Sequence, residues 1–113
     1  MRLFSRPNRV DATRAAELLE RGEVVVLDVR ENVEWKAGRI PGALHIPLAQ
    51  VPFRGRELPR DTTIVTVCRS GHRSGLAARW LRRAGYKVED LDGGMKAWAR
   101  ARLPLDPTGG RVL

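Results

Sequence analysis

Ala12, Ala15, Leu18 and Leu19 recur at three- and four-residue steps, with Arg14, Glu17 and Arg21 on the other side. That stripe predicts an amphipathic helix capped by Asp11, running to about Arg21 and stopped by Gly22. The pattern then changes. Val24–Asp28 is a continuous β-branched apolar run without alternation, as expected of a strand covered on both faces. Asn32–Ala37 has room for a short helix closed by Gly38. Arg39–Pro47 predicts a turn followed by a brief extended segment, confined by its prolines to an edge or a loop. Within Leu48–Leu58, Pro52 and Gly55, with Pro59 just beyond, leave space for only a turn or two of helix.

Thr63–Val67 is the second clear strand and ends at Cys68. The stretch Arg69–Arg73 is too polar for a strand. From Ser74 to Ala84 a helix is expected, with Ala77, Trp80, Leu81 and Ala84 inward and Arg79, Arg82 and Arg83 on the solvated side. Gly85 ends it, Lys87–Leu91 forms a third strand, and Asp92–Gly94 turns into a last helix from Met95 to about Ala101.

Strands alternating with helices of this length specify an α/β domain, a small open parallel sheet flanked by helices on both faces. The expected domain covers residues 10–104, after a polar lead-in at 1–9 and before an irregular tail at 105–113. Ligands of such sheets sit outside the carboxyl ends of the strands, which is where Asp28 and Cys68 fall.

Composition changes the picture in two places. The formal charge of +8 in 113 residues suggests a polyanion partner. Yet 18 of the 21 basic residues are Arg spread from Arg2 to Arg111, with no run of five or six like charges. With three Trp, one Tyr and two Phe, no alternating aromatic–basic platform exists, so no nucleic-acid partner is expected. No apolar stretch approaches the roughly 18 residues of a membrane helix, and the first ten residues are too polar for a signal-peptide core. A cytoplasmic protein without a membrane partner is the expectation. The single cysteine excludes an internal disulfide and a multi-cysteine metal site; no metal or cofactor is expected.

That cysteine is also the strongest chemical signal. A lone cysteine ending a buried strand is most often a packing residue. Here a strand–loop–helix junction follows, which makes a nest of backbone N–H groups for an anion. The N–H groups from Arg69 through Ser74 are expected to converge on the sulfur. The following helix adds its positive end, Arg69 and Arg73 add full charges, and Gly71 lets the loop curl. Such surroundings favour the nucleophilic thiolate.

The loop Cys68-Arg-Ser-Gly-His-Arg-Ser74 resembles the active-site loop of the rhodanese (thiosulfate sulfurtransferase) family in its single-domain form. Other segments match in order. Asp28-Val-Arg30 resembles the family's D-x-R after the first core strand. Glu34–Ala43 and His45–Leu48 resemble its G-H-I-P-G-A…N-I-P-L segment, and Leu91–Trp98 its L-x-G-G-x-x-x-W. The likeness covers about Val10 to Pro104. Arg39 stands where the family usually has His, and His45 where Asn is common.

The resemblance implies a persulfide shuttle. Cys68 takes a sulfane sulfur from thiosulfate or a similar small anionic donor; cyanide, a thiol or an acceptor protein then removes it. Arg69 is expected to grip the donor's oxyanion end, and Arg73 to hold the loop by pairing with a carboxylate such as Asp28. Ser70, Gly71, His72 and Ser74 complete the loop, and Asp28 and Arg30 support it. Trp35, Trp80 and Trp98 are expected to pack in the core, and Gly93 and Gly94 to make a tight turn. A phosphatase-like or arsenate-reducing enzyme, or a non-catalytic interaction module, shares the resemblance. Relatives of this fold that act on phosphate place five residues between Cys and Arg, whereas Cys68 and Arg73 enclose four.

Overall fold

The structure is a computed structural model and describes residues 8–113. Five strands, β1 (Arg9–Val10), β2 (Val24–Asp28), β3 (Leu44–His45), β4 (Thr63–Val67) and β5 (Val88–Leu91), form one sheet. Its order is β1-β5-β4-β2-β3 and every pairing is parallel. The helices are α1 (Ala12–Glu20), α2 (Asn32–Ala37), α3 (Val51–Arg54), α4 (His72–Arg83) and α5 (Gly94–Arg100).

The sheet carries a core on each face, which is why β2 and β4 are continuous apolar runs. Leu27, Val29, Ile64 and Cys68 share one core with Ala77, Ala78 and Leu81 of α4. Val24, Val26, Val65 and Val67 share the other with Ala15 of α1 and Met95 and Trp98 of α5. Leu27, Ile64 and Leu81 are fully buried, each worth roughly 1.5–3 kcal/mol. Helix propensities differ by only about 0.7 kcal/mol per ordinary residue, so docking on the sheet, rather than propensity, holds α4 in place.

The expected α/β architecture is present, and several local features differ. The lead-in contains a strand: Arg9 and Val10 pair with Asp90 and Leu91 at the sheet edge. Residues 1–7 of that lead-in lie outside the described residues. Two residues are too few for a periodic signal, so only the partner strand reveals β1. Helix α4 starts at His72, two residues before the expected Ser74, because Gly71 at φ +121° turns the chain sharply enough to serve as its N-cap. Leu48–Leu58 resolves into short helical turns around α3. Trp80 is 40% exposed rather than buried, whereas Trp98 lies in the core and donates Nε1–H to Pro104 O.

The segment after Pro104 has no regular element, yet it is docked. Arg39 and Asp106 exchange backbone hydrogen bonds, Arg111 N–H donates to Ala37 O, and Val112 packs on the α1–α5 core. Gly38 permits this: a Cβ there would stand 2.6 Å from Arg111 O.

Candidate active site

Cys68 follows β4, the central strand, and β2 lies beside it with Asp28 in register with Val67. The cysteine is 1% exposed, and its Sγ accepts the Gly71 N–H at 3.0 Å. The first intrahelical bond of α4 runs from Gly75 N–H to Gly71 O. The N–H groups of His72, Arg73 and Ser74 therefore belong to the unpaired first turn of a helix whose positive end faces the sulfur. Of the N–H groups expected on Sγ, from Arg69 through Ser74, Gly71 makes the bond; those of His72, Arg73 and Ser74 stand as first-turn donors because the helix begins early.

The rest of the loop divides by what each side chain touches. Arg69 is exposed and turned away, its Nε donating to Leu113 O at 2.7 Å. His72 is exposed on the first turn. Ser74, expected in the loop, is inside α4 and fully buried. Its hydroxyl faces Asp90 without reaching ordinary hydrogen-bond geometry, while Thr66 Oγ1 donates to Asp90 at 2.9 Å. Burial pushes the Asp90 carboxyl up, and both hydroxyls oppose that.

Arg73 does not pair with Asp28. It forms a two-pronged bridge to Glu34 of α2, Nη1 to Oε1 at 2.7 Å and Nη2 to Oε2 at 2.8 Å. Asp28 instead holds Arg30, both side chains being fully buried. Arg30 Nε and Nη2 grip the carboxylate at 2.7–3.0 Å, and Nη2 also donates to Gly38 O at 2.7 Å. Arg30 Nη1 is buried without a partner among the described residues.

Loop support is thus indirect: Arg30 fastens the end of α2, and Glu34 on α2 fastens Arg73. His45 Nε2 lies 2.7 Å from Arg30 O, and its ring stacks on Trp35 at 4.5 Å. Arg39 lies over the other partner, Trp35, at 4.9 Å. The two departures from the family pattern therefore sit together at this corner.

Sequence reading missed two groups. Glu34 is one; it heads the family-like segment Glu34–Ala43 and stands three residues after Glu31 in a capping box, and neither feature points to Arg73. Gly94 is the other. Its φ is +60°, and a Cβ there would lie 2.5 Å from Cys68 O. That closeness lets Met95 N–H donate to Cys68 O at 2.8 Å and Lys96 N–H to Arg69 O at 3.1 Å. The double glycine is more than a turn: it seats α5 against the cysteine's own backbone.

The Arg73 guanidinium holds the Glu34 carboxyl at about 2, against an ordinary 4.5. A depressed carboxyl contributes stability that is full above pH 4.5 and lost as pH falls toward 2. Screening at this part-exposed bridge limits the contribution to about 1–2 kcal/mol. Urea unfolding at pH 6 and pH 3 should show the native protein losing about 1 kcal/mol more than Glu34→Gln. Equal acid losses in the two proteins exclude this coupling.

A parallel α/β sheet whose central strand ends in a cysteine, with an N–H donor on the sulfur and a helix N-terminus behind it, is an arrangement that can stabilise negative charge on the sulfur. The Rhodanese-like domain profile matches residues 11–101. The chain belongs to the rhodanese-like domain family. It is 39% identical over 100 residues to a sulfurtransferase of Allochromatium vinosum, covering 87% of this chain and 94% of that one. It is 46% identical over 101 residues to an HTH-type transcriptional regulator of Mycobacterium tuberculosis, covering 85% of this chain but only 45% of the regulator. The crystal structure of a rhodanese-related protein from Thermoplasma volcanium superposes with a TM-score of 0.82 at 28% identity, covering 87% of this chain and 96% of that one.

Proposed function

We propose that the protein is a sulfurtransferase that moves a sulfane sulfur from thiosulfate or a similar anionic donor to a thiophilic acceptor through a Cys68 persulfide. The observation that carries this is Cys68 Sγ at the N-terminal end of α4, accepting the Gly71 N–H at 3.0 Å. A sulfur so placed stays charge-stabilised whether it is a bare thiolate or carries one added sulfur, as a double displacement requires. In the first step Cys68 Sγ bonds to the donor's outer sulfur and sulfite leaves with the electron pair of the broken S–S bond. In the second the acceptor bonds to that outer sulfur and Sγ leaves as thiolate.

Residues beyond the sulfur serve position. Arg73 is bound to Glu34, which makes it a brace of the loop rather than a free grip on substrate. Arg69 becomes a grip on the donor's oxygens only after releasing Leu113 O. Relatives named as sulfurtransferases in Allochromatium vinosum and, as a putative one, in Bacillus subtilis support the same reading.

Turnover decides between sulfur and phosphoryl chemistry. Thiocyanate should form from thiosulfate and cyanide, while an aryl phosphate is left intact. Aryl phosphate hydrolysis at an equal or greater rate overturns the proposal.

A further inference from the structure

Residues 105–113 run from Arg39, just past α2, to the loop that follows Cys68. One end is fastened at Asp106. Its backbone exchanges hydrogen bonds with Arg39 at 2.8 and 3.0 Å, and its carboxylate lies 3.5 Å from the Arg39 guanidinium. The other end is held more lightly. Arg111 N–H donates to Ala37 O at 2.8 Å, Val112 is half-buried against the α1–α5 core, and Leu113 O accepts the Arg69 Nε–H at 2.7 Å. Between these points Asp106–Gly109 is exposed. A stretch so sparsely buried opens at lower cost than the sheet does.

Its far end falls on a charge beside the sulfur. Of the two arginines in the loop, Arg73 is committed to both oxygens of Glu34. Arg69 adjoins Cys68 and is exposed, and its bond to Leu113 O is the one side-chain hydrogen bond it makes among the described residues. Two glycines let the segment reach it. A Cβ at Gly38 would stand 2.6 Å from Arg111 O, and one at Gly110 would stand 2.9 Å from Ala37 O. Gly38 has φ 174°, extended backbone that any residue adopts, and the three atoms nearest such a Cβ all belong to Arg111. Glycine is therefore needed at 38 for the approach of this segment.

We propose that residues 105–113 form a strap that competes with the sulfur donor for Arg69, so that its docking sets donor affinity. The inference rests on the sulfurtransferase reading, which makes Arg69 a grip on the donor's oxygens. A dianionic donor displaces the strap by offering the planar guanidinium two charged oxygens, where Leu113 engages it through one bond. Apparent donor affinity is then the intrinsic affinity reduced by the fraction of molecules with the strap released. Gly38 and Val112, both outside the loop, become determinants of how readily a donor binds.

Two variants loosen the strap from different sides. Gly38→Ala pushes Arg111 away from α2, and Val112→Ser weakens the apolar hold on the core. In each, the second-order rate constant for loading Cys68 from thiosulfate should rise about two- to tenfold, the range one net hydrogen bond spans. Discharge by cyanide, which has no oxygen for Arg69 to grip, should keep its rate. Neither gain should appear on top of Arg69→Ala. A loading rate unchanged in both variants overturns the proposal, as does a gain that survives Arg69→Ala or is matched in the cyanide step. Calorimetric binding of thiosulfate to Cys68→Ser and to Cys68→Ser/Gly38→Ala reads the strap without sulfur transfer. Tighter binding by the double variant, with no sulfur loaded on the native protein, supports the strap and rejects the sulfurtransferase reading. Equal binding by the two, with loading of the native protein intact, rejects the strap alone.

Discussion

Cys68→Ser is expected to abolish sulfur loading. Native protein incubated with thiosulfate should gain the mass of one sulfur atom and lose it on addition of cyanide, and the variant should do neither. Thiosulfate:cyanide turnover should fall by at least about 10³-fold, the scale on which a removed nucleophile is felt. A serine hydroxyl is a poor nucleophile for sulfur and cannot carry a persulfide. It does accept a hydrogen bond, so Gly71 N–H keeps a partner where Sγ now stands and the change in volume is small. Circular dichroism and thermal melting should therefore report an intact domain. Intact-protein mass spectrometry is the direct measurement. A sulfur adduct on the folded variant, or none on the native protein, rules out Cys68 as the carrier. The single cysteine gives the experiment its clarity, because no second thiol in the chain is available to accept the sulfur.

Arg30→Ala has the second large effect, on stability. Asp28 and Arg30 are both fully buried, so removing the cation strands a carboxylate in the core. Breaking a buried pair in this way costs about 3–5 kcal/mol, a large share of the roughly 5–15 kcal/mol that holds a domain together. At about 4 °C per kcal/mol for a chain of this size, the melting temperature falls by roughly 12–20 °C. The loss of the bond to Gly38 O also frees the end of α2, and with it Glu34. The double variant Asp28→Ala/Arg30→Ala should cost less than the sum of its single changes by more than about 1 kcal/mol. Additive losses, or a fall of only a few degrees in Arg30→Ala, contradict the pair's proposed role.

What could be read in advance follows from which interactions are local. Strands β2 and β4 and helices α1, α4 and α5 announce themselves through runs, stripes and glycine stops within single segments. The placement of Cys68 was legible for the same reason: strand, cysteine, glycine and helix are consecutive. Pairings across the chain were not. Arg73 lies 39 positions from Glu34, and nothing local distinguishes Glu34 from Asp28 as its partner. Asp28 is instead taken by Arg30, two residues away, because their side chains enter the same buried pocket at the end of β2. The same limit hid β1, whose two residues gain meaning only against β5, and the role of Gly94, which depends on how close the Cys68 backbone comes. Arg69 was expected to point toward substrate, but the docking of residues 111–113 offers it Leu113 O.

The parallel order β1-β5-β4-β2-β3 leaves no hairpin anywhere in the sheet. Each strand contact must wait for a crossover to close, and such distant contacts slow folding. The parts that hold the Cys68 loop come from well-separated stretches of chain: Glu34 before it, Gly94 after it, and Leu113 beyond both. A nascent or partly folded chain therefore carries Cys68 without its cradle. The cradle is complete only when these contacts have closed, so its appearance during refolding reports on them.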